Sequence, residues 1–163
     1  MKHLYFMRHA KSDWLNSDTD DRERTLHYIG INEAKIIAKE IINRNIKFDA
    51  IISSPAKRAL QTAEIVKNKI GFDKEIIVKE CFYFEEERVI LKEIKNIDNN
   101  FQNVLLVGHN PTWSKMVMQL SIDNQRVYMD NANFASLSGD FNDWNEIEYG
   151  KLNFEYILSP KNL

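Results

Sequence analysis

The sequence predicts an α/β domain: a three-layer α/β/α sandwich around a mostly parallel central sheet, with antiparallel strands at one edge. Two patterns predict it. Short continuous apolar runs, as strands covered on both faces require, alternate with segments whose apolar residues recur every three or four positions. The last third of the chain instead carries strand-like runs separated by tight-turn signals. The chain has 163 residues, only three prolines and five glycines, and neither a repeat nor a Pro/Gly-rich linker, so residues 1–163 are expected to form one domain.

Leu4 to Met7 is the first apolar run and the first expected strand. Over residues 31–45, Ala34, Ile37, Ala38, Ile41 and Asn45 fall on one helical stripe that is apolar until its last member. Phe48 to Ser53 reads as a second buried strand. Ser54-Pro55 then opens a helix, as a capping residue followed by proline does. That helix carries Ala59, Ala63, Val66 and Ile70 on its inner face, and Gly71 ends it. Glu75 to Val78 is expected as a short strand and 86–97 as a helix facing inward through Ile90, Ile94 and Ile97. Val104 to Val107 is the third strong strand. Asn110-Pro111 then starts a helix with Trp113, Met116, Val117 and Leu120 inside. Ala135 to Leu137, Trp144 to Glu148 and Leu152 to Leu158 read as strands joined by turns at Gly139-Asp140 and Tyr149-Gly150; two-residue turns link antiparallel strands only.

The chemistry lies after the three strongest strands. The first ends in Arg8-His9, the second in Ser53-Ser54-Pro55-Ala56-Lys57-Arg58, the third in Gly108-His109-Asn110-Pro111. Ligands of open α/β sheets bind beyond the carboxyl ends of parallel strands, so two histidines and two arginines converge there. Cations beside helix amino termini, where the dipole is already positive, imply an anion among them. A guanidinium pair suits phosphate because it donates paired hydrogen bonds to its oxygens.

Other chemistries lack their signatures. The four histidines (His3, His9, His27, His109) show no metal-ligand spacing and have no cysteine cluster beside them, so no metal and no cofactor is expected. Phosphate-loop, dinucleotide and Gly-x-Ser-x-Gly motifs are absent. A net charge of −2 gives no pull toward nucleic acid or an anionic membrane. The one cysteine, Cys81, sits in an apolar stretch, reads as a packed thiol and allows no intrachain disulfide. With no signal peptide and no membrane span at the amino terminus, a cytoplasmic protein is expected, compatible with a monomer.

Phe6-Met7-Arg8-His9-Ala10-Lys11-Ser12 resembles the Arg-His-Gly opening of the histidine phosphatase superfamily, whose fold is called phosphoglycerate mutase-like. Ser53 to Ala63 is similar to that family's Ser-Ser-x-x-x-Arg-Ala-x-Gln-Thr-Ala segment, and Val107 to Pro111 to its Val-Gly-His-Asn-Pro segment. Arg24-Thr25-Leu26 followed by Gly30 resembles its Arg-Pro-Leu-Thr-x-x-Gly run; Ala10 and Thr25 stand where Gly and Pro are usual. The short chain leaves little room for a lid between residues 79 and 103, so the resemblance is to the short SixA-like phosphohistidine phosphatases.

The resemblance implies that His9 is the nucleophile and forms a transient phosphohistidine. Arg8, Arg58 and His109 would bind the phosphoryl oxygens as their charge develops. Arg8 and Arg58 are expected to lower the imidazole pKa from about 6.5. Helix starts near Ala56 and Thr112 could add N–H donors. For a general acid the sequence offers Glu85, Glu86 and Glu87 without a clear choice. A substrate that departs without needing a proton, phosphohistidine on a protein or peptide, fits that uncertainty. Two alternatives stay open: a phosphomonoesterase acting on a sugar or nucleotide phosphate, and a phosphate-binding module without hydrolysis. Lys11, Asp13, Trp14 and Asn131 are further candidates for the pocket mouth.

Overall fold

A computed structural model describes residues 1–14 and 20–163. Six strands form one sheet: β1 (Lys2–Arg8), β2 (Ala50–Ser53), β3 (Ile77–Val78), β4 (Asn103–Gly108), β5 (Phe134–Gly139) and β6 (Asn153–Leu158). Their order is β3-β2-β4-β1-β5-β6. The first four run parallel, β5 is antiparallel to β1, and β6 is antiparallel to β5. The antiparallel edge is thus where the sequence placed it.

Strand residues alternate between two apolar cores, as the pleat requires. Leu4 and Phe6 of β1, with Val104 and Leu106 of β4, face α3 (Glu87–Lys95) and α4 (Thr112–Leu120). Tyr5 and Met7, with Leu105 and Val107, face α1 (Tyr28–Asn43) and α2 (Lys57–Ile70). One pair of helices on each face of the sheet makes three layers. Every residue of β1's central run lies in a core, which is why that run is unbroken by polar residues.

Helix ends show how local chemistry sets the boundaries. Tyr28 starts α1 because the His27 ring accepts the Ile29 N–H at 3.0 Å, a cap not read from the sequence. Gly71 closes α2 with φ of 74°, a left-handed residue that favours glycine. Gly30 has a different reason: a Cβ there would lie 2.0 Å from the Lys11 carbonyl oxygen, so α1 can approach the strand that carries Arg8-His9 only without a side chain.

The segment between β5 and β6 departs from expectation. Trp144 to Glu148 is no strand; Trp144–Glu146 is a turn of 3₁₀ helix. Asp143 and Glu146 close a capping box around it, Trp144 N–H donates to Asn99 Oδ1 at 2.8 Å, and the indole N–H donates to Phe101 O at 2.9 Å. The backbone N–H groups of Asp143, Trp144 and Asn145, which a strand would have used in a ladder, are thus taken by side-chain oxygens. Consequently β5 and β6 pair through a long connection rather than a two-residue turn. Among the described residues, no helix is long and apolar enough to cross a membrane.

Candidate active site

Three carboxyl ends of strands, β1, β2 and β4, meet where the parallel order switches, since β4 inserts between β1 and its successor β2. The segments that follow them build a cleft of about 440 Å³. Arg8 and His9 enter from β1, Arg58 from the first turn of α2, and His109 from the residue after β4. The four sequence-predicted side chains therefore line one cleft, with Lys11, Ser12, Trp14, Asp21, Arg24, Phe84, Asn110 and Asn131 around them. Arg58 and His109 are each 1% exposed and His9 is 7% exposed, far more buried than these residue types usually are.

His9 is held in one tautomer. Its Nδ1 lies 2.8 Å from the Ala10 carbonyl oxygen, which can only accept, so Nδ1 carries the hydrogen and Nε2 bears the lone pair. Nε2 faces Arg58, whose Nε–H donates to it at 3.4 Å. Burial lowers the His9 pKa most; the nearby guanidiniums of Arg58, Arg8 and Arg24 add to this against the backbone bond, and the value falls to about 3. The arginines were the expected cause. Desolvation proves the larger one.

His109 lies with its ring centroid 5.3 Å from that of His9. Ser54 Oγ accepts the Ala56 N–H at 3.2 Å and shares a 2.7 Å hydrogen bond with His109 Nε2; in the tautomer where the hydroxyl donates to Nε2, Nδ1 is the N–H. That Nδ1 is buried with no hydrogen-bond partner among the described residues, and so is Arg8 Nε. Two orphaned polar nitrogens on cleft-lining residues are costly unless a hydrogen-bonding ligand sits among them. Burial first, then the charges of His9 and Arg58, push the His109 pKa down to about 2.

Among the described residues one carboxylate lines the cleft, and it was not among the residues the sequence singled out. Asp21 accepts from Arg58 Nη2 at 2.9 Å, from Arg24 Nη1 at 3.1 Å and from the Tyr83 hydroxyl at 2.5 Å, while its backbone carbonyl accepts from Arg58 Nη1 at 2.6 Å. Burial alone would raise its pKa, but the bonds from Tyr83, Arg58 and Arg24 prevail and hold it at about 2. Asp21 is thus an ionised clamp that fixes the Arg58 fork. The available signal was a carboxylate three residues before Arg24 in a stretch without helical or strand period.

The acidic triplet lies elsewhere. Glu86 accepts from Arg88 at 3.0 Å, Glu87 faces Lys115 at 3.8 Å, and Glu85 offers its backbone carbonyl to Thr112 Oγ1 at 3.1 Å. None of the three is among the residues lining the cleft. Glu87 opens α3, where the helix dipole favours an acid. The helix starts also contribute differently than expected, since the Ala56 N–H is taken by Ser54 and neither Ala56 nor Thr112 lines the cleft. Of the mouth candidates, Lys11, Trp14 and Asn131 line it; Asp13 turns away, 3.8 Å from the His27 ring. The motif residues beyond Arg58 brace the floor: Gln61 Oε1 accepts Leu26 N–H at 2.7 Å, and Thr62 Oγ1 accepts Ala10 N–H at 3.0 Å. Among the described residues no group of three or more His, Cys, Asp or Glu could hold a metal ion.

Residues 4–83 match the model of the histidine phosphatase superfamily (branch 1). A mitochondrial serine/threonine-protein phosphatase Pgam5 of Drosophila mojavensis is 36% identical over 85 residues; the match covers 52% of this chain and 28% of that protein, so the chain spans well under half of this relative. An uncharacterized protein of Mycobacterium tuberculosis (strain CDC 1551 / Oshkosh) is 31% identical over 115 residues, 71% of this chain and 70% of that one. The solved structure of the protein histidine phosphatase SixA complexed with tungstate superposes with a TM-score of 0.85 at 21% identity, covering 98% of both chains, and shares the fold. The chain belongs to the histidine phosphatase superfamily.

Proposed function

We propose that this chain is a phosphatase that carries the phosphoryl group transiently on Nε2 of His9 and acts on phosphohistidine in a protein or peptide. The observation that carries the mechanism is the His9 tautomer: Nδ1–H is committed to the Ala10 carbonyl, so the nitrogen facing the cleft is unprotonated and nucleophilic. A pKa of about 3 keeps it so throughout the neutral range.

In the first step Nε2 bonds to phosphorus as the bond to the leaving group breaks. Arg58 Nε–H, which rests on Nε2, can move to a phosphoryl oxygen and free the lone pair. The orphaned Arg8 Nε–H and, in the tautomer where Ser54 donates to Nε2, His109 Nδ1–H supply two further donors where negative charge gathers. Water then bonds to phosphorus as the His9 N–P bond breaks, yielding inorganic phosphate and restoring the imidazole.

The choice of substrate rests on Asp21. Asp21, the one carboxylate among the described residues that line the cleft, is held ionised at neutral pH and has no proton to give. An alkoxide leaving group needs that proton, whereas a phosphorylated imidazole protonated on its other nitrogen leaves as a neutral ring. A protein histidine phosphatase with the same fold, solved with the tetrahedral oxyanion tungstate, is consistent with this reading. The test is a kinetic panel of phosphohistidine, p-nitrophenyl phosphate and sugar phosphates. The expected order of kcat/KM puts phosphohistidine first; a marked preference for sugar phosphates overturns the substrate assignment.

A further inference from the structure

Two residues that line the cleft, Phe84 and Trp14, take no part in holding the phosphoryl group, and both are placed at some physical cost. Phe84 has φ of 56°, a left-handed conformation that a bulky side chain rarely adopts, and it is 50% exposed. Its ring nevertheless lies 4.7 Å from the His109 ring, tilted by 32°, and 4.9 Å from Tyr83, with the Arg58 guanidinium 5.9 Å from its centre. An apolar ring set in a strained backbone, half in solvent and against the His109 ring, is not explained by core packing. Trp14 is 77% exposed, whereas the other two tryptophans, Trp113 and Trp144, are fully buried. The Arg24 guanidinium stacks 3.3 Å from its ring centre and fixes it beside the cleft, and Arg24 is in turn pinned by Ser12 Oγ at 2.6 Å and Asp21 at 3.1 Å.

We propose that Phe84 and Trp14 form an aromatic rim that stacks on the leaving group, so that the site selects phosphoryl groups carried on a planar ring over those carried on an alkyl chain. The inference rests on the phosphatase reading and deepens it. Because Phe84 touches His109, a group attached to a phosphoryl held there comes within reach of its exposed face. Ring stacking on such a face tolerates either imidazole or phenol, so the recognised chemistry is the planar ring itself. The phosphohistidine and phosphotyrosine sources then differ only in the bond that breaks.

Matched substrates separate the ring from the bond. Phosphoimidazole pairs with phosphoramidate, both losing a P–N bond; phenyl phosphate pairs with ethyl phosphate, both losing a P–O bond. In the full chain, Phe84→Leu is expected to lose about tenfold more kcat/KM on each ring substrate than on its ringless partner, and Trp14→Leu about threefold more. Phe84→Tyr, which keeps the face, restores the selectivity. Equal losses within each pair mean that Phe84 merely supports His109, and they overturn the proposal. A larger effect in the P–N pair identifies imidazole as the ring favoured; a larger one in the P–O pair identifies phenol.

A binding experiment decides the inference even if the wild-type protein hydrolyses none of the four. Trp14 is the one exposed tryptophan, so its emission should quench and shift on adding phenylphosphonate and stay unchanged with methylphosphonate. The same response to both probes contradicts the rim. Silence toward all four substrates, with the phenyl-selective shift intact, sinks the phosphatase reading and leaves the rim standing.

Discussion

The floor of the cleft and its rim are built by opposite rules. On the floor, His9, Arg58 and His109 are almost wholly buried and each is pinned: His9 by the carbonyl of its neighbour Ala10, Arg58 and His109 by Asp21 and Ser54 from other segments. At the rim, Trp14 and Phe84 stand largely in solvent on segments outside the sheet and the four helices. Floor side chains leave regular elements or their first turns, so their positions follow from the sheet order. Rim side chains depend on local loop chemistry. In the proposed function this difference separates binding of the phosphoryl group, which needs fixed donors, from choice of its carrier, which needs an accessible surface.

Substitutions can break the floor in graded steps. His9→Ala removes the proposed attacking nitrogen and is expected to abolish turnover, measured as phosphate release; wild-type-like turnover would remove the mechanism. Arg58→Ala is expected to cost on the order of 10²-fold or more in kcat, as removal of one transition-state donor does. Asp21→Asn keeps the shape but loses the charge that orients the Arg58 fork, and should cost about tenfold in kcat/KM. A loss as large as that of Arg58→Ala would instead make Asp21 a reacting group.

Stability against pH sharpens the same contrast, because the floor holds two neutral imidazoles. His9 and His109 titrate at about 3 and about 2 when folded, against about 6.5 unfolded. Between pH 6.5 and 3 the unfolded chain therefore binds more protons, and stability must fall as pH falls. The slope is up to about 1.4 kcal/mol per pH unit for each ring. Urea midpoints across this range should drop, and His109→Gln should remove roughly half of the drop. Asp21 adds a smaller loss lower down, between its ordinary carboxylate value and about 2. A flat midpoint from pH 6.5 to 4 would contradict the buried neutral pair.

A mutation behind the floor should act on the fold before the chemistry. In Gly30→Ala the new Cβ meets the Lys11 carbonyl, so α1 must shift from the strand end, and a loss of about 1–3 kcal/mol in urea unfolding is expected. At the rim, Asn131→Ala removes only the 3.3 Å bond from its side chain to the His9 carbonyl, which also accepts the Ala132 N–H at 3.1 Å. Its effect on kcat/KM should stay within about threefold.

The sequence made the floor readable for the reason the comparison gives. Arg8-His9, Arg58 and His109 follow apolar runs that had to be strands, and a parallel order brings such strand ends together. Asp21 was hard to single out because only its i,i+3 pairing with Arg24 is local, while its pairing with Arg58 and Tyr83 spans 37 and 62 residues and follows no period. The acidic triplet misled because acids at a helix start serve the dipole as readily as a reaction. Trp144 to Glu148 misled for a related reason: a buried indole and a capping box satisfy its backbone where the apolar pattern suggested a ladder. Patterns with a period reach the fold. Single long-range polar bonds do not announce themselves.

The most direct test is to quench the reaction within the first turnover and locate the phosphoryl group by phosphorus NMR and peptide mass spectrometry. The account predicts an acid-labile, alkali-stable phosphoryl group on Nε2 of His9, because Nδ1–H is held by the Ala10 carbonyl. Phosphate found on Nδ1, on another residue, or on no residue of a turning-over protein would contradict it.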